Sequence, residues 1–151
     1  LYTTPSSARS LRPNYPPKII TDSSILFAYY SSQDNYHRAV VNFFEQCSSD
    51  LITTVACITE VMYLLSHNYR TQNEFLSDLS HQLYQCIPLL PQDFARIIQL
   101  NEQYADLPGD FADLSLITIS ERLNISAIIT LDSDFDIYRR YRKEPFERIY
   151  L

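Results

Sequence analysis

Five carboxylates stand where acids are chemically useful in this sequence. Asp22 closes KIITD (18–22), Glu60 lies about one turn into the apolar stretch after LITT (51–54), Asp110 and Asp113 frame DFAD, and Asp132 follows SAIITL (126–131). Carboxylates forced together repel and raise one another's pKa, so a cluster persists mainly where a cation compensates it. Each acid also has a second reading. Asp22 and Asp132 fit turn residues at strand ends. Asp110 fits a helix N-cap, with Asp113 an acid of the first turn that suits the helix dipole. Glu60 lies off the Ile58, Val61, Met62, Leu65 stripe, where a solvated glutamate belongs. Only their joint placement favours a metal site, and that placement depends on the elements that carry them.

Those elements alternate between short apolar runs and amphipathic stretches. KIITD and LITT predict β-branched strands, and residues 24–47 predict a helix interrupted near Ser31–Asp34. Ile58, Val61, Met62 and Leu65 at i, i+3, i+4 and i+7 predict a helix over 56–68. Thr71-Gln-Asn-Glu74 has the form of a capping box opening a helix to about Tyr84. CIPLL (86–90) predicts a third strand and Pro91 the first turn of a helix to about Ala105. Residues 110–123 predict a helix, SAIITL a fourth strand, 134–142 a short basic helix and FERIYL (146–151) a last strand. Alternating β and α units imply an α/β domain with a mainly parallel sheet and helices on both faces. In such sheets ligands bind beyond the carboxyl ends of the strands, so the five acids are expected at one edge.

Composition narrows the chemistry further. A chain of 151 residues with 46% apolar residues fits one domain. Its single glycine, Gly109, excludes the glycine-rich loops that cradle dinucleotides or nucleotide phosphates. Cys47, Cys57 and Cys86 are widely spaced and form no C-x-x-C, which predicts reduced, buried thiols in a cytoplasmic protein. No apolar run approaches the length needed to cross a bilayer, so no membrane partner is expected. The net charge of −6 is unevenly spread: residues 19–137 hold sixteen of the eighteen acids but only four of the twelve bases. The proline-rich, acid-free residues 1–17 predict a disordered or extended arm of transit-peptide-like composition, leaving 18–151 as the folded domain. His37, His67 and His81 are dispersed and predict surface or packing roles.

Three segments carry a resemblance. Asp22-Ser-Ser-Ile-Leu after a strand, Thr-Glu60-Val in the helix after LITT, and DLPGDFADLSLITISERLNISAIITLDSDF (106–135) resemble the PIN-domain ribonucleases of the VapC toxin type, across 18–151. The resemblance implies a PIN-like three-layer α/β/α nuclease domain, and an acidic site at Asp22, Glu60, Asp113 and Asp132 with Asp110 as a nearby extra acid. It also implies a metal-dependent endoribonuclease, the toxin of a type II toxin–antitoxin pair, with a small antitoxin protein as partner and a homodimer as its assembly. Asp132 and Asp134 stand closer together than in many relatives, which leaves open which of them faces the metal.

The chemistry suits these residue types. Phosphodiester hydrolysis needs hydroxide near neutral pH and compensation of charge on the transition state, and Mg²⁺ or Mn²⁺ supplies both. Asp22 and Asp113 are the expected direct ligands. Glu60 and Asp132 would position or deprotonate the attacking water or hold a second ion, and Ser23 and Thr130 would hydrogen-bond the carboxylates. RNA would be held by Arg139, Arg140, Arg142 and Lys143, interleaved with Tyr138 and Tyr141, unless that segment is only a solubilising helix face. A haloacid-dehalogenase-like phosphatase has too little chain after Asp132, and a receiver domain would need a lysine after its last strand. A catalytically degenerate PIN-fold binding or scaffold module is the alternative function.

Overall fold

The computed structural model describes residues 14–107 and 109–151. Most of the expected arm, residues 1–13, lies outside the described residues. Asn14–Pro17 lead into the sheet: Tyr15 meets Phe43 edge-on at 5.1 Å, and Asp50 N donates to the Pro17 carbonyl at 2.8 Å.

Seven strands and six helices follow: β1 Lys18–Thr21, α1 Ser23–Tyr30, α2 His37–Gln46, β2 Asp50–Thr53, α3 Val55–Leu64, α4 Tyr69–Ser80, β3 Tyr84–Cys86, α5 Pro91–Gln103, α6 Phe111–Arg122, β4 Ala127–Ile129, β5 Arg139–Arg140, β6 Glu144–Pro145 and β7 Glu147–Ile149. The central sheet has the order β3-β2-β1-β4-β7, with every pairing parallel. Strand residues alternate between two cores, as a side-chain period of two requires. Ile20, Ile52 and Ile128 pack with Ile97 and Leu100 of α5 and Leu116 and Ile117 of α6. Ile19, Leu51, Ala127 and Ile129 pack with Ile25 and Leu26 of α1, Phe43 of α2 and Phe75 of α4. The result is the expected three-layer α/β/α fold.

The sequence order produces a switch point between β1 and β4, since the chain builds outward from β1 to β2 and β3 before crossing to the other side. Beyond β1 the chain enters α1, which packs on one face, and beyond β4 it enters a short turn at Ser133–Asp136 whose Phe135 packs on the other, which opens a crevice there.

Six expectations on local structure are corrected. Helix α3 ends at Leu64, and α4 takes its N-cap three residues before the Thr71–Glu74 box, because the Asn68 side chain accepts from Arg70 N and Thr71 N. Helix α4 then stops at Ser80, where Gln82 takes a left-handed conformation and Leu83 N donates back to the Asp78 carbonyl. Strand β3 is Tyr84–Cys86 instead of 86–90. Tyr84 is its buried residue, and Cys86 is exposed at the sheet edge, against the expectation of buried thiols. Finally, 134–142 is no helix: a short 3₁₀ turn at Ser133–Asp136 leads into the antiparallel ribbon β5–β6, whose turn holds Tyr141 and Arg142 at φ 49° and 71°.

Among the described residues no helix is long and apolar enough to cross a membrane.

Candidate metal centre

Five segments bring acids to the crevice, one of them the α1–α2 connection with Asp34. Asp22 follows β1 directly and occupies the N-cap position of α1, yet its side chain makes no capping bond. Hydroxyls claim it instead: Ser24 Oγ donates to Oδ2 at 2.9 Å, Thr130 Oγ1 donates to the same oxygen, and Ser23 Oγ reaches Oδ1 at 3.1 Å. A carboxylate has about four acceptor sites, so at most three donors, Ser23 being shared with Glu60, leave room for one more partner. Ser23 Oγ also lies 2.6 Å from Glu60 Oε1, which ties α3 to the mouth of the crevice.

Helix α6 brings the next two acids. Gly109 precedes Asp110, whose Oδ1 accepts from Asp113 N at 2.9 Å and thereby caps the helix. Asp113 is freed by that cap to face inward, and only 6% of it remains exposed. Its Oδ2 accepts from the Tyr138 hydroxyl at 3.0 Å. Asp132 comes from the loop after β4, where Thr130 Oγ1 accepts from its backbone N at 2.9 Å. Asp132 Oδ1 in turn accepts from Asp134 N at 2.9 Å, starting the 3₁₀ turn and bringing Asp134 alongside.

Oxygens of Asp113, Asp132 and Asp134 all lie within 4.8 Å of one another. Asp22, Glu60, Asp110, Asp113 and Asp132 line one cleft of about 250 Å³ with Ser23 and Ser24. Both carboxylates of the closely spaced pair, Asp132 and Asp134, are therefore within reach of the cluster. Asp22 lines the same cleft but is not a member of that nearest trio.

No basic side chain compensates these charges: the ion pairs among the described residues are Arg96–Glu121, Arg122–Asp93, Arg140–Glu144 and Arg148–Asp136. The electrostatic consequence falls on the acids themselves. Burial, and then the charges of Asp22 and Asp110, push the Asp113 carboxyl up to about 8. Burial also raises Asp22 against the lowering effect of its hydroxyl donors, and raises Glu60 against that of Ser23. Asp134 is raised by desolvation and by the neighbouring Asp132. A converging set of hard oxygen donors that resist ionisation together is the arrangement a divalent cation relieves.

The basic segment is placed differently from its expected role. Arg140 is buried, donating to the Ser120 carbonyl and Asn124 Oδ1 at 3.3 Å each, and is not available to phosphate. Tyr138 is wholly buried and serves the acidic cleft instead of stacking on bases. Arg139 Nη1 closes on the carbonyls of Asp136, Ile137 and Tyr138. Only Arg142 and Lys143 stand exposed, at the ribbon's turn. That ribbon docks on the far end of α6, where Glu121 Oε2 accepts from Tyr141 N at 2.7 Å. Eight residues of helix rise, about 12 Å, separate Glu121 from Asp113.

Sequence reasoning missed Ser24, Asp34 and Arg148, and gave Tyr138 a role at RNA instead of at the acids. Arg148 Nη1 donates to Asp136 Oδ2 at 2.8 Å and Nη2 to the Thr130 carbonyl at 3.1 Å, clamping both ends of the loop that carries Asp132 and Asp134. The one local signal was the Ser-Ser pair directly after Asp22.

With this geometry in view, comparison with known proteins gives a consistent result. A family model of the PIN domain matches residues 19–141. Among solved structures, the chain is similar to Mycobacterium tuberculosis VapC20, described as a toxin that cleaves the sarcin–ricin loop. The identity is 14% and the TM-score 0.74, over 84% of this chain and 99% of that one. It is also similar to a chain of a toxin–antitoxin complex from Klebsiella pneumoniae, at 16% identity and a TM-score of 0.60, over 76% of this chain and 87% of that one. At such identities the likeness is one of fold. No curated protein gives a significant sequence match.

Proposed function

Since the chain belongs to the PIN domain family, we propose that it is a divalent-metal-dependent endoribonuclease and the toxin of a type II toxin–antitoxin pair. The observation that carries this reading is the convergence of Asp113, Asp132 and Asp134 within 4.8 Å, in a crevice shared with Asp22 and Glu60 and without a compensating basic side chain among the described residues. A degenerate scaffold would have no reason to keep so costly a grouping.

Asp113, Asp132 and Asp134 would hold the ion, Mg²⁺ or Mn²⁺, with the remaining acceptor site of Asp22 as a further ligand. When bound, the ion supplies hydroxide near neutral pH and offsets the charge that develops on phosphorus. Glu60, held by Ser23 and raised by burial, is suited to take a proton from the attacking water. That water's oxygen forms the new bond to phosphorus as the bond to the leaving sugar oxygen breaks, and the leaving oxygen takes a proton from solvent.

Partners follow from the same reading: RNA as substrate, a small antitoxin protein as inhibitor, a second copy as homodimer partner, and the cytoplasm as location. The antitoxin finds support in the toxin–antitoxin complex of similar fold. Support for protein partners in general is an apolar groove of about 670 Å³ beside the cleft, lined by Val55, Tyr63, Phe94 and Phe111. Tyr63 is 76% exposed there.

The direct test is cleavage of mixed RNA with Mg²⁺ or Mn²⁺, followed by excess EDTA. Activity is expected to disappear with the chelator; undiminished cleavage refutes the mechanism. A second test concerns the surviving cations. Replacing Arg142 and Lys143 by alanine should weaken RNA binding and flatten the slope of log affinity against log salt by roughly 1.4, since each phosphate contact on a single strand contributes about 0.7. An unchanged slope assigns that turn to solubility alone.

A further inference from the structure

The chain's single glycine is required for space. Gly109 does not adopt a left-handed backbone; the described left-handed positions belong to Gln82, Asn124, Tyr141 and Arg142. A Cβ placed on Gly109 would instead lie 2.5 Å from the Tyr138 hydroxyl oxygen, and 3.3 Å from both Tyr138 Cζ and Leu114 Cδ2. The hydroxyl is therefore what a larger residue would displace most severely.

Among the described residues that hydroxyl has one partner, Asp113 Oδ2, at 3.0 Å. The ring below it is held edge-on by Tyr104 and Phe135 at 5.0 and 5.1 Å, within an otherwise apolar core. Phenylalanine would fill the same volume with no polar atom to satisfy, so packing does not account for the hydroxyl. The backbone of Tyr138 is fixed to the other side of the cleft, with its N donating to the Asp134 carbonyl at 3.0 Å. One residue thus joins the acid presented by α6 to the loop that presents Asp132 and Asp134.

We propose that Tyr138 is a positioning residue of the metal centre. Its hydroxyl occupies one oxygen of Asp113 and fixes that carboxylate's orientation, leaving the other oxygen for a cation, and Gly109 keeps open the space the hydroxyl needs. The proposal rests on the reading of the cleft as a divalent-cation site.

The experiment measures Mn²⁺ affinity by titration of the full chain as wild type, Y138F, G109A and the double variant, with far-ultraviolet dichroism and thermal melts to establish that each folds. Y138F keeps the ring and is expected to fold while binding Mn²⁺ about 10- to 100-fold more weakly, the range typical for loss of a group that orients a metal ligand. G109A should produce a similar loss because its methyl group displaces the hydroxyl. The double variant should bind no more weakly than Y138F, since with the hydroxyl gone only 3.3 Å contacts remain, which shifts of a few tenths of an ångström relieve. Wild-type affinity in Y138F, or losses that add in the double variant, would overturn the proposal. Absence of Mn²⁺ binding by the wild type would instead overturn the cation-site reading beneath it, and this proposal with it.

Discussion

Asp113→Asn is expected to remove RNA cleavage by on the order of 10³-fold, the scale of losing a principal electrostatic contributor to a transition state, while Asp110→Asn keeps most of it. Only two residues separate the two acids, yet their surroundings assign opposite duties. Asp110 is exposed, and its Oδ1 is engaged by Asp113 N as a helix cap. Asparagine caps about as well as aspartate, so Asp110→Asn retains the helix start and with it the position of Asp113. Asp113 is buried, belongs to the trio within 4.8 Å and has no capping duty. Its amide variant keeps an oxygen for the Tyr138 hydroxyl but loses the charge a cation needs. Turnover under saturating RNA and Mn²⁺, with circular dichroism to confirm the fold, checks the pair. A dead Asp110→Asn beside an active Asp113→Asn would reverse the assignment and mean that α6 enters the cleft one turn differently.

The legible part of this site was the part encoded locally. Asp22 and Asp132 follow β-branched runs, so the parallel topology carries them to one edge whatever the loops do, and Asp110 has the form of a cap from its neighbours alone. Tyr138 and Arg148 were illegible for the opposite reason. Their partners, Asp113 and Thr130, lie 25 and 18 residues away, and no periodicity marks a hydrogen bond of that span. The basic segment misled in a particular way. Phe135 and Tyr138 are both buried and three apart, which imitates a helical stripe. The actual turn at Tyr141-Arg142 carries none of the glycine or asparagine that marks a left-handed hairpin turn. Glycine scarcity removed the signal without removing the turn. The early start of α4 is the same lesson on a smaller scale, since Asn68 offers its cap before the Thr71–Glu74 pair can compete.

Without metal, the protein should lose stability as pH rises from about 4 to about 8, contrary to the behaviour of a domain held by salt-bridged carboxylates. The unfolded chain releases the Asp113 proton near the ordinary 3.8, whereas the folded state holds it to about 8 because burial and the charges of Asp22, Asp110 and Asp132 oppose ionisation. Between these values the folded state binds the extra proton. The associated stability is thus fully present below about pH 4 and is gone once the pH has passed the folded value. At 1.36 kcal/mol per unit, a shift of this size amounts to a few kcal/mol, and Asp22 and Glu60 act in the same direction. A loss of about 3 kcal/mol lowers the melting temperature of a domain this size by roughly 6–12 °C, so melts in EDTA at pH 5 and pH 8.5 should differ by that order. Asp113→Asn should remove much of the difference by making the alkaline melt more stable. Mn²⁺ at a hundredfold excess over its Kd should recover about 2.7 kcal/mol in the wild type. A metal-free protein that gains stability from pH 5 to 8.5, or an Asp113→Asn variant with an undiminished slope, would show that the carboxylates are compensated from within the fold. In that case the cleft would have no electrostatic need of a cation.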